Sequence, residues 1–347
     1  MRFALVLVCA LACRSSEPAK QKPVSETNVA RTEVRFDRRV ELITILQRLV
    51  GEREYMRALG TRYVAAVDAH FKPFKDHAAV IATRELRRKS ITYDAPMHLA
   101  VRLDEQFKLR APLEDPRFTG IDIEPYLAAV RDFAAASKFD EFFTQQRSAH
   151  EQMTARLRDA IAKENAAAWF DAFFGERAGS RFITVVAPLA GTWSFGPHVG
   201  DEIYQVMGVW KVDFDELPIV DDQIIELVVH EMAHSYINPL FNAHRAALEP
   251  HGQRLFAQVG DAMTKQAYGL WHTMLDELAV RTITALYLRD RRSVDAGERA
   301  IKSEVERSFL WTPQLAELIR TRYVANRAKF PSFETFMPEL IAWLATQ

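Results

Sequence analysis

Cysteine is nearly absent from this chain of 347 residues: Cys9 and Cys13 stand in its first 13 residues and none follows. The body therefore has no internal disulfide and no thiolate metal site, so any metal must be held by His, Asp or Glu. Glycine is scarce too, with 13 residues, about half of the usual ~7%. Few glycines mean few tight turns, which argues for long helices over a turn-rich β-sandwich. A charge excess is also missing. The formal net charge is -1, which leaves no cationic surplus to release counterions from a phosphate backbone and disfavours a nucleic-acid role. Short basic runs such as Arg87-Arg88-Lys89 read as solvated helix faces. No segment after the N-terminal leader is apolar over the roughly 20 residues that a membrane-spanning helix needs.

What is present begins with an address. Met1-Arg2 is positively charged, Phe3 to Leu11 is an unbroken apolar run, and Ala12-Cys13 precede Arg14-Ser15-Ser16-Glu17-Pro18. This is the layout of a secretory signal, and Ala10-Leu11-Ala12-Cys13 resembles a bacterial lipobox, in which the cysteine is lipidated after cleavage. The expected location is the bacterial cell envelope, with membrane attachment only through lipid on Cys13; plain secretion is the alternative. Residues 14–35, polar and carrying Pro18 and Pro23, read as a flexible tether. The body then spans 36–347, with an N-terminal helical part over 36–175 and a second part over 176–347.

Helical spacing of apolar residues marks Val40–Val50, Tyr63–Phe71, 121–143 and 152–174. Trp169, Phe170, Phe173 and Phe174 have the spacing of a buried helix face. Two β-rich runs follow, Arg181–Ala187 and Ile203–Trp210, joined by the Gly/Pro-rich loop Gly191–Pro197. Helical texture returns after Pro218, with Asp221 or Asp222 as N-cap. Because a residue before proline avoids the α region, this helix is predicted to stop near Ile237 or Asn238, ahead of Pro239. Further helices are expected over 268–288, 305–322 and 333–344. The fold class expected is α+β, mostly helical, with a small β-sheet.

The chemistry sits in that helix, at His230-Glu231-Met232-Ala233-His234. Residues four apart share a helix face, so the two imidazoles can meet one metal at about 2.0–2.1 Å. Glu231 is offset around the helix and suits the role of general base toward an attacking water rather than that of a ligand. Apart from Glu231, residues 227–237 carry no charge, which supplies the apolar wrapping a buried metal helix needs. A third ligand is required, and Leu275-Asp276-Glu277-Leu278 offers it. Glu277 is the choice, with Arg281 one turn later to hold its carboxylate. Asp276 is the alternative, or a partner for the free nitrogen of a histidine ligand. His244, His251 and His272 are weaker replacements, since Pro239-Leu240-Phe241 occupies the stretch where a three-histidine site carries its glycine. Tyr236, His198, Tyr268 and His272 are open candidates for stabilising negative charge on a carbonyl oxygen. His77 and His98 could approach the cleft from the N-terminal part.

The pattern, two histidines on one helix and a helical glutamate tens of residues on, resembles the gluzincin class of zinc peptidases. More closely, the stretch from His230 to Leu240, together with Val40-Glu41-Leu42, Tyr63, Phe71, Lys75-Asp76-His77 and Ile91-Thr92-Tyr93-Asp94-Ala95-Pro96, resembles the uncharacterised bacterial family called domain of unknown function 4932. The resemblance implies a zincin-like metallopeptidase fold, a zinc ion and no known substrate. It also implies an edge strand before the metal helix that pairs with an extended substrate, for which Ile203–Trp210 is the nearest candidate. The expected function is a zinc-dependent hydrolase of peptide bonds, with His230, His234 and Glu277 as metal ligands, Glu231 as base, and peptides or proteins as substrate. The other reading is a catalytically silent, surface-anchored binding lipoprotein. The intact Glu231 favours the enzyme.

Overall fold

Two helices in the C-terminal half carry the residues singled out above, and the rest of the fold positions them. The computed structural model describes residues 31–175 and 180–347. The leader at 1–13 and most of the expected tether lie outside the described residues. The end of that tether does not. Thr32–Arg35 is a strand, β1, so the body starts at 32 and not at 36. Its four residues have no apolar alternation to announce them. Its charges pair sideways instead: Glu33 meets Arg181 at 3.0 Å, and Arg35 meets Asp37 at 2.9 Å.

The N-terminal helices are α1 (Arg38–Val50), α2 (Arg62–Phe71), α3 (Ala78–Arg88), α4 (Ala95–Ala100), α5 (Glu124–Ala136), α6 (Phe139–Gln145), α7 (Arg147–Glu164) and α8 (Ala166–Phe174). Two of the long helices predicted from periodicity are each broken in two by a single left-handed residue, Lys138 (φ 53°) and Asn165 (φ 49°). Periodicity continues across such breaks because the apolar residues on both sides face one core. Phe170 and Phe174 stack on Tyr236 with ring centroids 5.2 and 4.7 Å apart, so the aromatic face of α8 is core, as its spacing predicts.

The sheet is small and mixed. It contains β2 (Arg181–Val186), β3 (Ser194–Phe195), β4 (His198–Val199) and β5 (Glu202–Met207) besides β1. β1, β2 and β5 run parallel in that order, and β3 and β4 pair antiparallel with the other side of β5. Their registers are continuous: Ser194 opposes Met207 and His198 opposes Ile203. The two short strands are thus one edge strand interrupted at Gly196-Pro197, where proline has no N–H to give to a ladder. A tight turn at Gly200 (φ 55°) joins this edge to β5. β5 is consequently an interior strand, and the expectation that Ile203–Trp210 offers a free edge is corrected. The exposed edge is Ser194–Val199.

The C-terminal half holds α9 (Asp222–Ala243), α10 (Arg245–Lys265), α11 (Trp271–Arg291), α12 (Val294–Glu306), α13 (Thr312–Leu318) and α14 (Phe333–Leu344). Asp221 caps α9, its side chain accepting from the Ile224 N–H. The predicted stop before Pro239 does not occur, and α9 continues to Ala243 with Pro239 inside it. An internal proline costs roughly 3 kcal/mol. Against that, Ile237 and Phe241, flanking it, are buried, and burying one such side chain contributes about 1.5–3 kcal/mol. The backbone N–H of His244 then closes the end on the Leu240 and Phe241 carbonyls. α11 is the central helix. Every residue from Leu275 to Tyr287 except Asp276 is buried, and the helix packs against α9, α10, α12 and α13. Among the described residues no helix is long and apolar enough to cross a membrane.

Candidate metal centre

α9 turns one stripe of side chains toward β5 and α11, and His230, Glu231 and His234 lie on it. α11 crosses it with Glu277 on the facing side. The two imidazole Nε2 atoms are 3.2 Å apart. His234 Nε2 is 3.2 Å from Glu277 Oε1, and His230 Nε2 is 3.8 Å from Glu277 Oε2. The three ligand-type atoms all lie within 4.8 Å of one another, and no other such group of three is found among the described residues. Bonds of about 2.1 Å to one tetrahedral ion set its ligand atoms about 3.4 Å apart, so the spacing suits one ion. The donor set, two imidazoles and a carboxylate without thiolate, suits zinc, and a fourth position stays open.

The electrostatics set the two histidines apart. Burial, and next the charge on His234, lower the pKa of His230 to about 3, which keeps its nitrogen free to donate an electron pair. Burial, the largest single influence, would lower His234 as well, but its hydrogen bond with Glu277, the charges of Glu277 and Glu231 and the contact with Asn238 together raise it, so this ring must give up a proton to ligate a metal. Glu277, 7% exposed, is held ionised against the same burial by the two histidines and Arg281. Its Oε2 lies 2.8 Å from Arg281 Nε, yet that buried oxygen completes no aligned hydrogen bond. Arg281 is itself fixed by Glu304 at 3.0 Å and donates to the Tyr268 hydroxyl at 2.9 Å.

Asp276, the alternative to Glu277, stands outside the group of three, and burial raises its pKa to about 7. The free nitrogen of His234 is met instead by Asn238, whose Oδ1 lies 3.2 Å from Nδ1. Asn238 sits one turn beyond the histidine, a position from which an amide oxygen can fix the ring. Sequence reading passed over it because Pro239 seemed to end the helix there. Burial, ahead of every other influence, raises the Glu231 pKa, and its side chain lines a cavity of about 490 Å³ with His234 and Asn238.

The other candidates sort by place. Tyr236 is committed to the aromatic core, with its hydroxyl 3.3 Å from Asp171. His77 lies 3.3 Å from Asp132 and accepts from the Ala79 N–H, and His98 lies 3.3 Å from Asp94. His244 ends α9, and neither His251 nor His272 joins the group of three. His198 lines the 490 Å³ cavity. Tyr268 reaches Arg281. The residue without a sequence signal for this role is Tyr93. It holds a left-handed backbone (φ 59°) and is 42% exposed. Its carbonyl accepts from the Tyr55 hydroxyl at 2.8 Å. Its ring packs edge-on against Trp193 and Phe195 at 5.2 and 5.3 Å. Phe195 adjoins Gly196, which lies against Glu231. Burial first, then the charges of Asp94 and Glu231, raise the Tyr93 pKa. The chain therefore brings a tyrosine with a left-handed backbone from the N-terminal half near enough to Glu231 to be influenced by its charge.

The model of the family described as Domain of unknown function (DUF4932) matches residues 32–343, and the chain belongs to that family. No curated protein matches it. No solved structure matches it.

Proposed function

We propose that this member of the family is a zinc-dependent hydrolase that cleaves peptide bonds. The observation that carries the reading is the convergence of His230, His234 and Glu277 within 4.8 Å of one another, with Glu231 next to them on a cavity wall. His230, His234 and Glu277 would hold the ion, Asn238 would orient the His234 ring, and Arg281 would fix the Glu277 carboxylate. Bound zinc supplies Lewis acidity and lowers the pKa of a coordinated water toward ~7. Glu231, whose pKa burial raises, takes the proton of the attacking water and passes it to the leaving amine. Tyr93, at the rim, is the donor we assign to the oxygen on which charge develops. The mixed sheet with an antiparallel edge beside the metal helix supports the zincin-like arrangement that the sequence resemblance implies. The expected edge role passes to Ser194–Val199. The leader supports a place in the cell envelope, with Cys13 as the lipid-bearing residue.

The test is zinc stoichiometry and cleavage of a broad peptide library by wild type, His234→Ala and Glu231→Gln. His234→Ala should lose metal and turnover together. Glu231→Gln should keep zinc and lose about 10²- to 10⁴-fold in rate. Zinc bound by wild type without any cleavage would favour the silent binding lipoprotein. No zinc after reconstitution would remove the reading altogether.

A further inference from the structure

The metal centre does not lie at the bottom of a closed pocket. It lies between two cavities that open along the same helix. The first, about 490 Å³, is lined by Glu231, His234, Ser235, Asn238 and Asn242 from α9. The second, about 410 Å³, is lined by Gln223, Glu226, Leu227 and His230 from α9. These positions recur at three- and four-residue spacings with neighbours beside them, so they form a broad stripe that winds obliquely along the helix. His230 lines one cavity and His234 the other. From Gln223 to Asn242 the stripe is roughly 28 Å long at 1.5 Å per residue. An extended chain rising ~3.3 Å per residue would cover that length with about eight residues.

We propose that this stripe is a groove for the interior of an extended polypeptide, which enters through one cavity, crosses the centre and leaves through the other. Its cutting step rests on the hydrolase reading above, and the protein would then be an endopeptidase.

The chemistry of each cavity supports passage over capture of a chain end. Holding a terminus takes an unbalanced charge: a carboxylate for an ammonium, or a cation for a carboxylate. The second cavity contains Arg281, Arg307, Glu226 and Glu304, but the cations are already matched. Glu304 takes Arg281 at 3.0 Å and Arg307 at 3.5 Å, and Arg281 also takes Glu277 at 2.8 Å. Glu226 is the remaining carboxylate, and burial followed by the charge of Glu304 favours its neutral form. Apart from Glu231, the proposed base, and the imidazoles of His198 and His234, the first cavity is lined by neutral groups, among them Asn238, Asn242 and Ser235, which suit backbone amides. The edge Ser194–Val199 borders this cavity through Gly196 and His198. A strand edge that pairs with an extended backbone does so without regard to where the chain begins or ends.

The test uses ten-residue peptides of mixed sequence, acetylated and amidated, beside the same peptides with free ends and beside five-residue halves. Binding is measured on the full Glu231→Gln protein, and cleavage on wild type. Cavity-filling variants Asn242→Trp and Ala300→Trp block the first and second cavity in turn. Blocking the peptide ends should change binding by less than about threefold. Either tryptophan should weaken it at least about tenfold, the halves should bind at least tenfold more weakly than the whole, and products should come from bonds inside the peptide. A tenfold loss on blocking either end, cuts confined to one or two residues from an end, or insensitivity to one of the two tryptophans would overturn the proposal. The length series decides the matter if a tryptophan variant fails to fold. Blocked peptides that bind through both cavities yet are never cut would keep the groove and remove the hydrolase.

Discussion

Gly196 lies so close to Glu231 that a methyl group built on it would meet the carboxylate Oε2 at 3.0 Å. The edge strand thus runs directly over the proposed base. The atom it meets is the far end of a flexible side chain, so Gly196→Ala should leave the fold intact and displace the carboxylate. Misplacing a reacting group by about 1 Å can cost on the order of 10²-fold in rate. A loss of that size, with unchanged zinc content and a melting temperature within about 2 °C of wild type, is the expected outcome. Full activity in Gly196→Ala would mean that the edge does not position Glu231.

The two acidic neighbours on α11 should separate in a metal titration. Glu277→Ala should weaken zinc binding far more than Asp276→Ala, because only Glu277 reaches both histidines. Arg281→Met should fall between them, with a loss of about 10–100-fold, the size typical of residues that orient a ligand. Competition with a chelator of known affinity measures all three. A larger effect from Asp276→Ala would reverse the assignment.

The candidate group of three was legible in the sequence because it is written in helical spacing: His230 with His234 at four residues, and Glu277 with Arg281 at four. What spacing could not show is tertiary. β1 was hidden because its charges are satisfied locally and by the next strand, Arg35 by Glu33 and Asp37 and Glu33 also by Arg181. β5 looked like an edge because the parallel partner on one side comes from residues 181–186 and the antiparallel partner on the other from inside a Gly/Pro-rich loop. α9 outran Pro239 because buried Ile237 and Phe241 offset the lost bond. Tyr93 comes under the influence of Glu231 across 138 residues of chain, a relation that no local pattern records.

Tyr93→Phe keeps the ring between Trp193 and Phe195 and removes only the hydroxyl. If that hydroxyl stabilises developing charge, kcat should drop about 10²–10³-fold while KM and zinc content hold. Binding of a phosphinic peptide, which imitates the charged state, should weaken in parallel. A purely structural tyrosine would spare both. Tyr268→Phe is the companion measurement, since its hydroxyl already accepts from Arg281.

A second buried set, away from the centre, should shape stability against pH. Glu41 is 1% exposed and accepts from the Tyr63 hydroxyl at 2.5 Å. His150 Nε2 lies 3.2 Å from that same hydroxyl. Burial raises Glu41 to about 7 and lowers His150 to about 4. The Glu41 contribution is complete below about pH 4.5 and is lost as pH rises toward 7. The His150 contribution is present above about pH 6.5 and is lost as pH falls toward 4. Each is of the order of 3 kcal/mol, and over most of this window they oppose. Wild type should therefore show little slope from these groups between pH 4.5 and 6.5. Glu41→Gln should become more stable as pH rises through that range. Chemical denaturation at several pH values gives both curves.

Joining α9 to α11 through the single helix α10 keeps all three ligands within residues 230–277, whereas the roof above them is drawn from Tyr93 and from Ser194–Val199. In folding terms the first set has short loops to close and the second long ones, and short-range contacts form faster. If the proposed metal binds, a nascent or partly unfolded chain would hold it before the proposed groove is complete. Metal occupancy would then guide the assembly of the helical half, and the capacity to cut would appear last, when the N-terminal half docks.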